Sequence, residues 1–212
     1  MDVMRLAKKA GFSFEFQESE PATNTFAADA RLKKLGHYLG GTLYYRGEWY
    51  WGLDRLHYLE ERLIDLGLRR AGDGSDVIYN PPNVPAGSGD SGAELNWYLS
   101  FRSPYSAIVR ERIKTLSDAY SAELKIRFVL PMVMRGLPVS PAKKKYIPLD
   151  AAREARRLNV PFGRIMDPVG APVERGYSLF SWARSHGRSY EFTNAFLSSV
   201  WAEGVDAVVR EG

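Results

Sequence analysis

The sequence predicts an α/β protein, and three observations carry that prediction. A strand–helix–strand pattern follows residue 95, a strand–strand–helix pattern occupies 41–67, and a stretch rich in Gly, Pro, Ser and Asp at 71–94 lies between them. The chain therefore reads as residues 1–70, a linker at 71–94, and residues 95–212, the last carrying a mostly helical insertion after its second strand.

Taken in order, Val3–Ala10 is a short helical stretch before a polar, Pro-containing segment, and Phe26–Leu35 is a second helix. GTLYYRGEWYWG at 41–52 has the aromatic and β-branched content of a pleated surface and a tight turn at Arg46-Gly47. Leu53, Leu56, Leu59, Leu63 and Leu66 then recur at helical spacing, with Gly67 where a C-cap belongs. The linker has no periodicity beyond a short extended piece at Val77–Tyr79.

Beyond the linker, Leu95–Phe101 is a strand. Pro104–Tyr120 is a helix with Ile108, Val109, Ile113 and Leu116 on its apolar face. Leu124–Leu130 is a second strand, stopped by Pro131, and parallel pairing of the two makes a βαβ unit. Helices are expected at Ile147–Leu158, Tyr177–His186 and Tyr190–Glu203, with 160–176 as a loop holding Pro161, Pro168 and Pro172.

Composition narrows the functional classes. Hydrophobic residues are 45% and charged residues 25% of the chain, as in ordinary globular proteins. No apolar run approaches the roughly 18 residues of a membrane span, and MDVMRLAKKAGF lacks the apolar core of a secretory signal, so a cytoplasmic protein is expected. The absence of cysteine excludes disulfides, thiolate zinc sites and a thiol nucleophile of the chain's own. His37, His57 and His186 have no metal-ligand spacing, and no metal is expected.

Charge is uneven. Residues 1–94 carry 11 basic and 14 acidic side chains (−3), and the rest carry 18 and 11 (+7). A basic half suits an anionic partner, either nucleic acid or a small carboxylate. The basic residues are scattered rather than striped with aromatics, so nucleic acid ranks last.

The stretch LSFRSPYSAI, 99–108, is the candidate site. Ser103 before Pro104 marks a helix N-cap and N1. Ser103 and Ser106 have the spacing of the two sulfurs in a C-x-x-C motif, yet the chain has no cysteine. The same turn is an anion site, since first-turn N–H groups and the positive dipole end face the C-terminal edge of a strand, where α/β proteins bind ligands. A thiol pKa of about 8.5 falls by roughly two units for about 2.7 kcal/mol. A helix end supplies ~0.3–2 kcal/mol and one charge-assisted hydrogen bond ~1.5–3 kcal/mol. An external thiol can thus be held as its anion by a chain with no sulfur nucleophile. A serine that only caps the helix is the competing explanation.

F-x-S-P-Y-S between strand and helix resembles the opening of the DsbA-like thioredoxin-fold proteins, and most closely their serine branch, the 2-hydroxychromene-2-carboxylate isomerases and kappa-class glutathione transferases. PAKKKY (Pro141–Tyr146) is similar to that isomerase family's P-A-K-x-x-Y. ARRLNVPF, ending at Phe162, is similar to its A-x-x-x-G-V-P-F with Asn159 in place of glycine, and SSVWAEGVD, ending at Asp206, to its W-A-E-G-x-D. The resemblance covers about residues 95–212 and implies a thioredoxin-like fold, a glutathione-dependent reaction, and Ser103 against the glutathione sulfur. It further implies glutathione contacts from Arg102, Pro104, Tyr105, Asn159, Val160 and Pro161, with Lys143 and Tyr146 at a carboxylate substrate.

Family members continue past W-A-E-G-x-D with a cis-proline, a hairpin and a last helix. Here the segment resembling that ending comes first: GGTLYYRGEWYWGLDRL keeps W-G-x-D-R-L at Trp51–Leu56 but has Gly41 where the cis-proline stands. The order is that of a permuted thioredoxin-like domain, with the 42–51 hairpin expected to pair beside 95–101. The alternative is a fragment of a tandem two-module protein, completed by a second copy or by a complementing segment. A glutathione-dependent isomerase, a glutathione transferase and a non-catalytic thioredoxin-like interaction module all remain open.

Overall fold

The computed structural model describes residues 11, 26–69, 89 and 92–208. The expected helix at Val3–Ala10, the segment after it, the strand at Val77–Tyr79 and nearly all of the 71–94 linker lie outside those residues. The chain divides into two compact units, Met1–Gly36 and His37–Gly212.

In the first unit, α1 (Phe26–Lys34) has Asp29 in its first turn and Lys33 and Lys34 in its last, matching the helix dipole. Leu35 N–H donates to Arg31 O (2.9 Å) and Gly36 N–H to Lys33 O (3.0 Å), closing its end.

The second unit opens with the hairpin β1 (Thr42–Tyr45) and β2 (Glu48–Trp51). Arg46 and Gly47 both have positive φ, 43° and 91°, the geometry that lets a two-residue turn follow the strand twist. A 3₁₀ turn at Leu53–Arg55 leads into α2 (Leu56–Asp65). Gly67, at φ 67°, ends it: Gly67 N–H donates to Ile64 O and Leu68 N–H to Leu63 O, a Schellman closure.

Next come β3 (Glu94–Leu99), α3 (Pro104–Ala119) and β4 (Glu123–Phe128), and β3 pairs with β4 in parallel, as the βαβ reading requires. Three helices follow: α4 (Pro141–Arg157), α5 (Ala171–Ser185) and α6 (Ser189–Ser198), the last passing into a π-helical turn at Ser199–Glu203. Two of them begin earlier than the sequence suggested. Ser140 caps α4 by accepting from Lys143 N–H, with Pro141 at its start, repeating the Ser103-Pro104 device. Pro148 lies inside α4, where it forgoes one helical hydrogen bond. Pro172 sits in the first turn of α5, where a proline costs no helical hydrogen bond.

The core gathers Trp97 and Leu99 from β3, Phe101 from the turn after it, Ala107 from α3, Val173 from α5, and Leu197, Val200 and Trp201 from the final helical run. Phe101 is fully buried and stacks on Phe196 at 4.0 Å; burying such a ring stabilises by about 1.5–3 kcal/mol. A second cluster of Ile108, Ala151, Ala155 and Val160 joins α3 to α4.

The expected pairing of the hairpin beside 95–101 is not formed, because β1–β2 and β3–β4 are separate two-stranded sheets. The hairpin and α2 are held on α4 instead. Arg55 and Tyr58 reach Asp150 and Glu154, Trp51 meets the Tyr146 ring edge at 6.5 Å, and Arg153 donates to the Trp49 carbonyl (3.3 Å), occupying strand edge that a neighbour would need. Side-chain ion pairs on α4 take the place of strand pairing.

Candidate functional site

The serine turn is built by short-range bonds. Ser103 N–H donates to Ser100 O (2.9 Å), turning the chain out of β3. Ser103 Oγ accepts Ser106 N–H (3.3 Å) as the α3 N-cap, and Pro104 starts the helix without a donor to satisfy. Ser106 is buried, its Oγ accepting Ser100 N–H (3.4 Å). The two serines at C-x-x-C spacing therefore divide their work: Ser106 closes the turn from inside and Ser103 faces a cavity.

That cavity is about 620 Å³ and draws its wall from several parts of the second unit. Ser100–Tyr105, apart from Phe101, forms the turn side, and Tyr38, Leu39 and Trp51 come from the hairpin segment. Val129–Met132 and Arg135 follow β4, while Lys143, Lys144, Ile147 and Pro148 come from α4. Ile165, Asp167 and Trp201 complete it, Trp201 being fixed by its indole N–H donating to Phe101 O (2.9 Å). The wall is apolar and aromatic, with cations Arg102, Arg135, Lys143 and Lys144 against one acid, Asp167.

The cations differ in their freedom. Arg102 is tied to Asp167 by two hydrogen bonds, at 2.7 and 2.6 Å, and its pKa is raised, first by that side-chain contact. Lys143 lies 5.9 Å over the Tyr38 ring and donates to Met132 Sδ (3.4 Å). Among the described residues no carboxylate pairs with it.

Tyr105 lines the cavity, and its hydroxyl donates to Asp150 Oδ2 (2.8 Å). Asp150 is 2% exposed and also accepts Arg55 Nε and NH2 (2.9 Å each) and the Tyr146 hydroxyl (3.2 Å). Burial, with the Asp150 charge beside them, pushes both phenols well above the usual tyrosine range.

Of the residues singled out in the sequence, Arg102, Ser103, Pro104, Tyr105 and Lys143 share the cavity. Tyr146, Asn159, Val160, Pro161 and Gly41 do not line it. Tyr146 is buried behind the wall on Asp150. Asn159, at φ 52°, is the left-handed residue that ends α4, with Asn159 N–H donating to Arg156 O and Val160 N–H to Ala155 O, which is why glycine or asparagine suits the position. Val160 packs on Ile108 and Ala155, and Pro161 is exposed. Gly41 is exposed at the hairpin base, its carbonyl accepting Gly52 N–H (3.0 Å).

Sequence reasoning missed Asp150, Asp167, Arg135, Tyr38 and Trp51. Only Asp150 had a local signal, an acid on the apolar side of a helix one turn after Tyr146. Among the described residues no group of His, Asp and Glu could hold a metal ion, and no helix is long and apolar enough to cross a membrane.

No family model and no curated protein matches the chain. A solved structure of a 2-hydroxychromene-2-carboxylate isomerase is similar at 21% identity and a TM-score of 0.42, covering 54% of this chain and 59% of that one. The chain thus spans about three-fifths of that structure's length.

Proposed function

We propose that the chain is a glutathione-dependent isomerase of the 2-hydroxychromene-2-carboxylate isomerase type, acting on an unsaturated aromatic acid. One observation carries this reading. Ser103 Oγ accepts a backbone N–H, while among the described residues its own hydroxyl proton has no protein acceptor, and the residue stands on the wall of a cavity at a helix N-terminus. A donor with a spare proton, at the positive end of a 16-residue helix, suits an anionic sulfur.

The residues present fit glutathione. The cavity has the volume of a small-molecule site, and its excess of cations suits carboxylates. When bound, glutathione supplies a thiol able to add to, and leave from, an unsaturated acid. The chain's part is to hold and orient. Ser103 would donate to the sulfur, Lys143, Lys144 and Arg135 would take carboxylates, and Tyr38, Trp51 and Tyr105 would offer flat apolar surface to an aromatic body and exclude water. A glutathione transferase would use the same residues.

A non-catalytic thioredoxin-like module is the second reading, favoured by Gly41, Asn159 and Pro161 standing off the cavity. Thermal unfolding with increasing glutathione separates the two. The expected result is a rising midpoint at millimolar glutathione for the wild-type chain and none for Ser103→Ala. An unshifted midpoint with the fold intact refutes the glutathione reading, and equal protection of both chains removes Ser103 from it.

A further inference from the structure

We infer that Arg55 and Asp150 are positioning residues for the cavity, acting on its wall through Tyr105. The inference rests on the cavity being the ligand site. Its grounds are a chain of contacts that crosses 95 residues of sequence.

Arg55 follows the hairpin in the 3₁₀ turn, and its guanidinium grips both oxygens of Asp150 at 2.9 Å. Asp150 stands mid-α4 with its side chain 1% exposed, where a lone carboxylate would not stay charged. Arg55 supplies the counter-charge beside it. Its own side chain is 14% exposed, and Glu154 lies 3.6 Å away on the next turn of the same helix.

Besides Arg55, Asp150 accepts the hydroxyls of Tyr105 (2.8 Å) and Tyr146 (3.2 Å). Tyr105 lies two residues after Ser103. Its hydroxyl is engaged by Asp150 while the residue stands on the cavity wall, so the carboxylate fixes where the side chain sits. Tyr146 is held by the same carboxylate and meets the ring of Trp51, a second wall residue, at 6.5 Å. One ion pair therefore bears on two aromatic residues of the wall, Tyr105 directly and Trp51 through Tyr146. Bidentate geometry makes the arginine specific, since lysine keeps the charge but cannot grip both oxygens.

The test is a double-mutant cycle on the full chain, read by fluorescence titration of 8-anilinonaphthalene-1-sulfonate, an aromatic anion that needs the cavity but no thiol chemistry. Arg55→Met and Tyr105→Phe are each expected to weaken binding about tenfold, with the double variant no weaker than either alone. Arg55→Lys should fall between wild type and Arg55→Met. Should Arg55→Met fail to fold, Tyr105→Phe, which removes one hydroxyl, decides by itself. A wild-type chain that does not bind the probe, folded variants of unchanged affinity, or losses that simply add would each overturn the inference. Glutathione titrated in parallel keeps the two questions apart: probe coupling without glutathione binding refutes the proposed reaction and leaves the positioning intact.

Discussion

Arg102 and Asp167 meet through two parallel hydrogen bonds, Nε to Oδ1 at 2.7 Å and NH2 to Oδ2 at 2.6 Å, on the cavity wall beside Ser103. Val169 N–H donates to the same Oδ1 (3.2 Å), so the acid is held from its own loop as well. The arginine nearest the serine is thus already partnered, and an incoming anion must compete with Asp167 for it. Asp167→Asn should release that competition. Binding of an anionic probe is expected to tighten by about 1 kcal/mol, roughly fivefold. Because Asp167 is about half exposed, stability should change by only about 0.2–1 kcal/mol. Probe titration beside urea unfolding checks both, and unchanged affinity would mean that Arg102 does not face the ligand.

Ser103 caps α3, and the proposed function gives it a second role at the sulfur; different substitutions separate the two. Alanine removes the cap and should cost about 0.5–2 kcal/mol in denaturant unfolding. Aspartate keeps an acceptor at the cap and should hold the stability, but it places a negative charge where a thiolate would sit. Both variants are expected to lose protection by glutathione. If Ser103→Asp keeps it, the residue is a cap alone.

Asp150 predicts a large loss. Asp150→Ala leaves Arg55 with its principal partner gone and two phenols without an acceptor. The expected destabilisation is about 3–5 kcal/mol, read from the urea midpoint at constant slope. A cost below about 1 kcal/mol would show that Glu154, 3.6 Å from Arg55, takes over the pairing.

His37 and His57 set an acid limit. Each is nearly inaccessible, and burial holds both below the ordinary histidine value of 6.5; for His57 the Arg157 charge adds to it. A lowered folded pKa means that the unfolded chain binds more protons, so stability rises with pH in this range. The contribution is complete above the unfolded value near 6.5 and is lost as pH falls through the folded ones. Urea midpoints should therefore fall below pH 6.5, and His37→Phe should flatten part of that slope. Equal slopes in both chains would clear His37 of the effect.

Gly176 is a packing position. A β-carbon there would stand 2.8 Å from Phe101 Cε2 and 3.0 Å from Phe196 Cε2, inside the aromatic stack. Gly176→Ala is expected to destabilise by about 1–3 kcal/mol despite the better helix former, because the rings have no space to give. A stabilised variant would show that the stack yields.

What the amino-acid order determined alone was local. Hairpin, turn and helix ends follow from dihedral demands, as at Arg46-Gly47, Gly67 and Ser103-Pro104, and the βαβ unit follows from apolar spacing. The serine turn was legible because capping chemistry acts within four residues; Lys143, 40 positions on, was singled out by charge and by the resemblance of PAKKKY. The early start of α5 escaped because Pro172 stood in a segment read as a loop, though a first-turn proline costs no helical hydrogen bond, and that of α4 because Ser140-Pro141 was not read as a cap. Tertiary structure alone decided which face of the chain the hairpin would use. Two sheets with free edges could have joined, but a buried carboxylate at 150 needs a counter-charge more than a strand needs a second neighbour, and the residue able to supply it stood at 55. Composition and periodicity record what each residue prefers. They do not record which pair of preferences, 95 positions apart, is satisfied together.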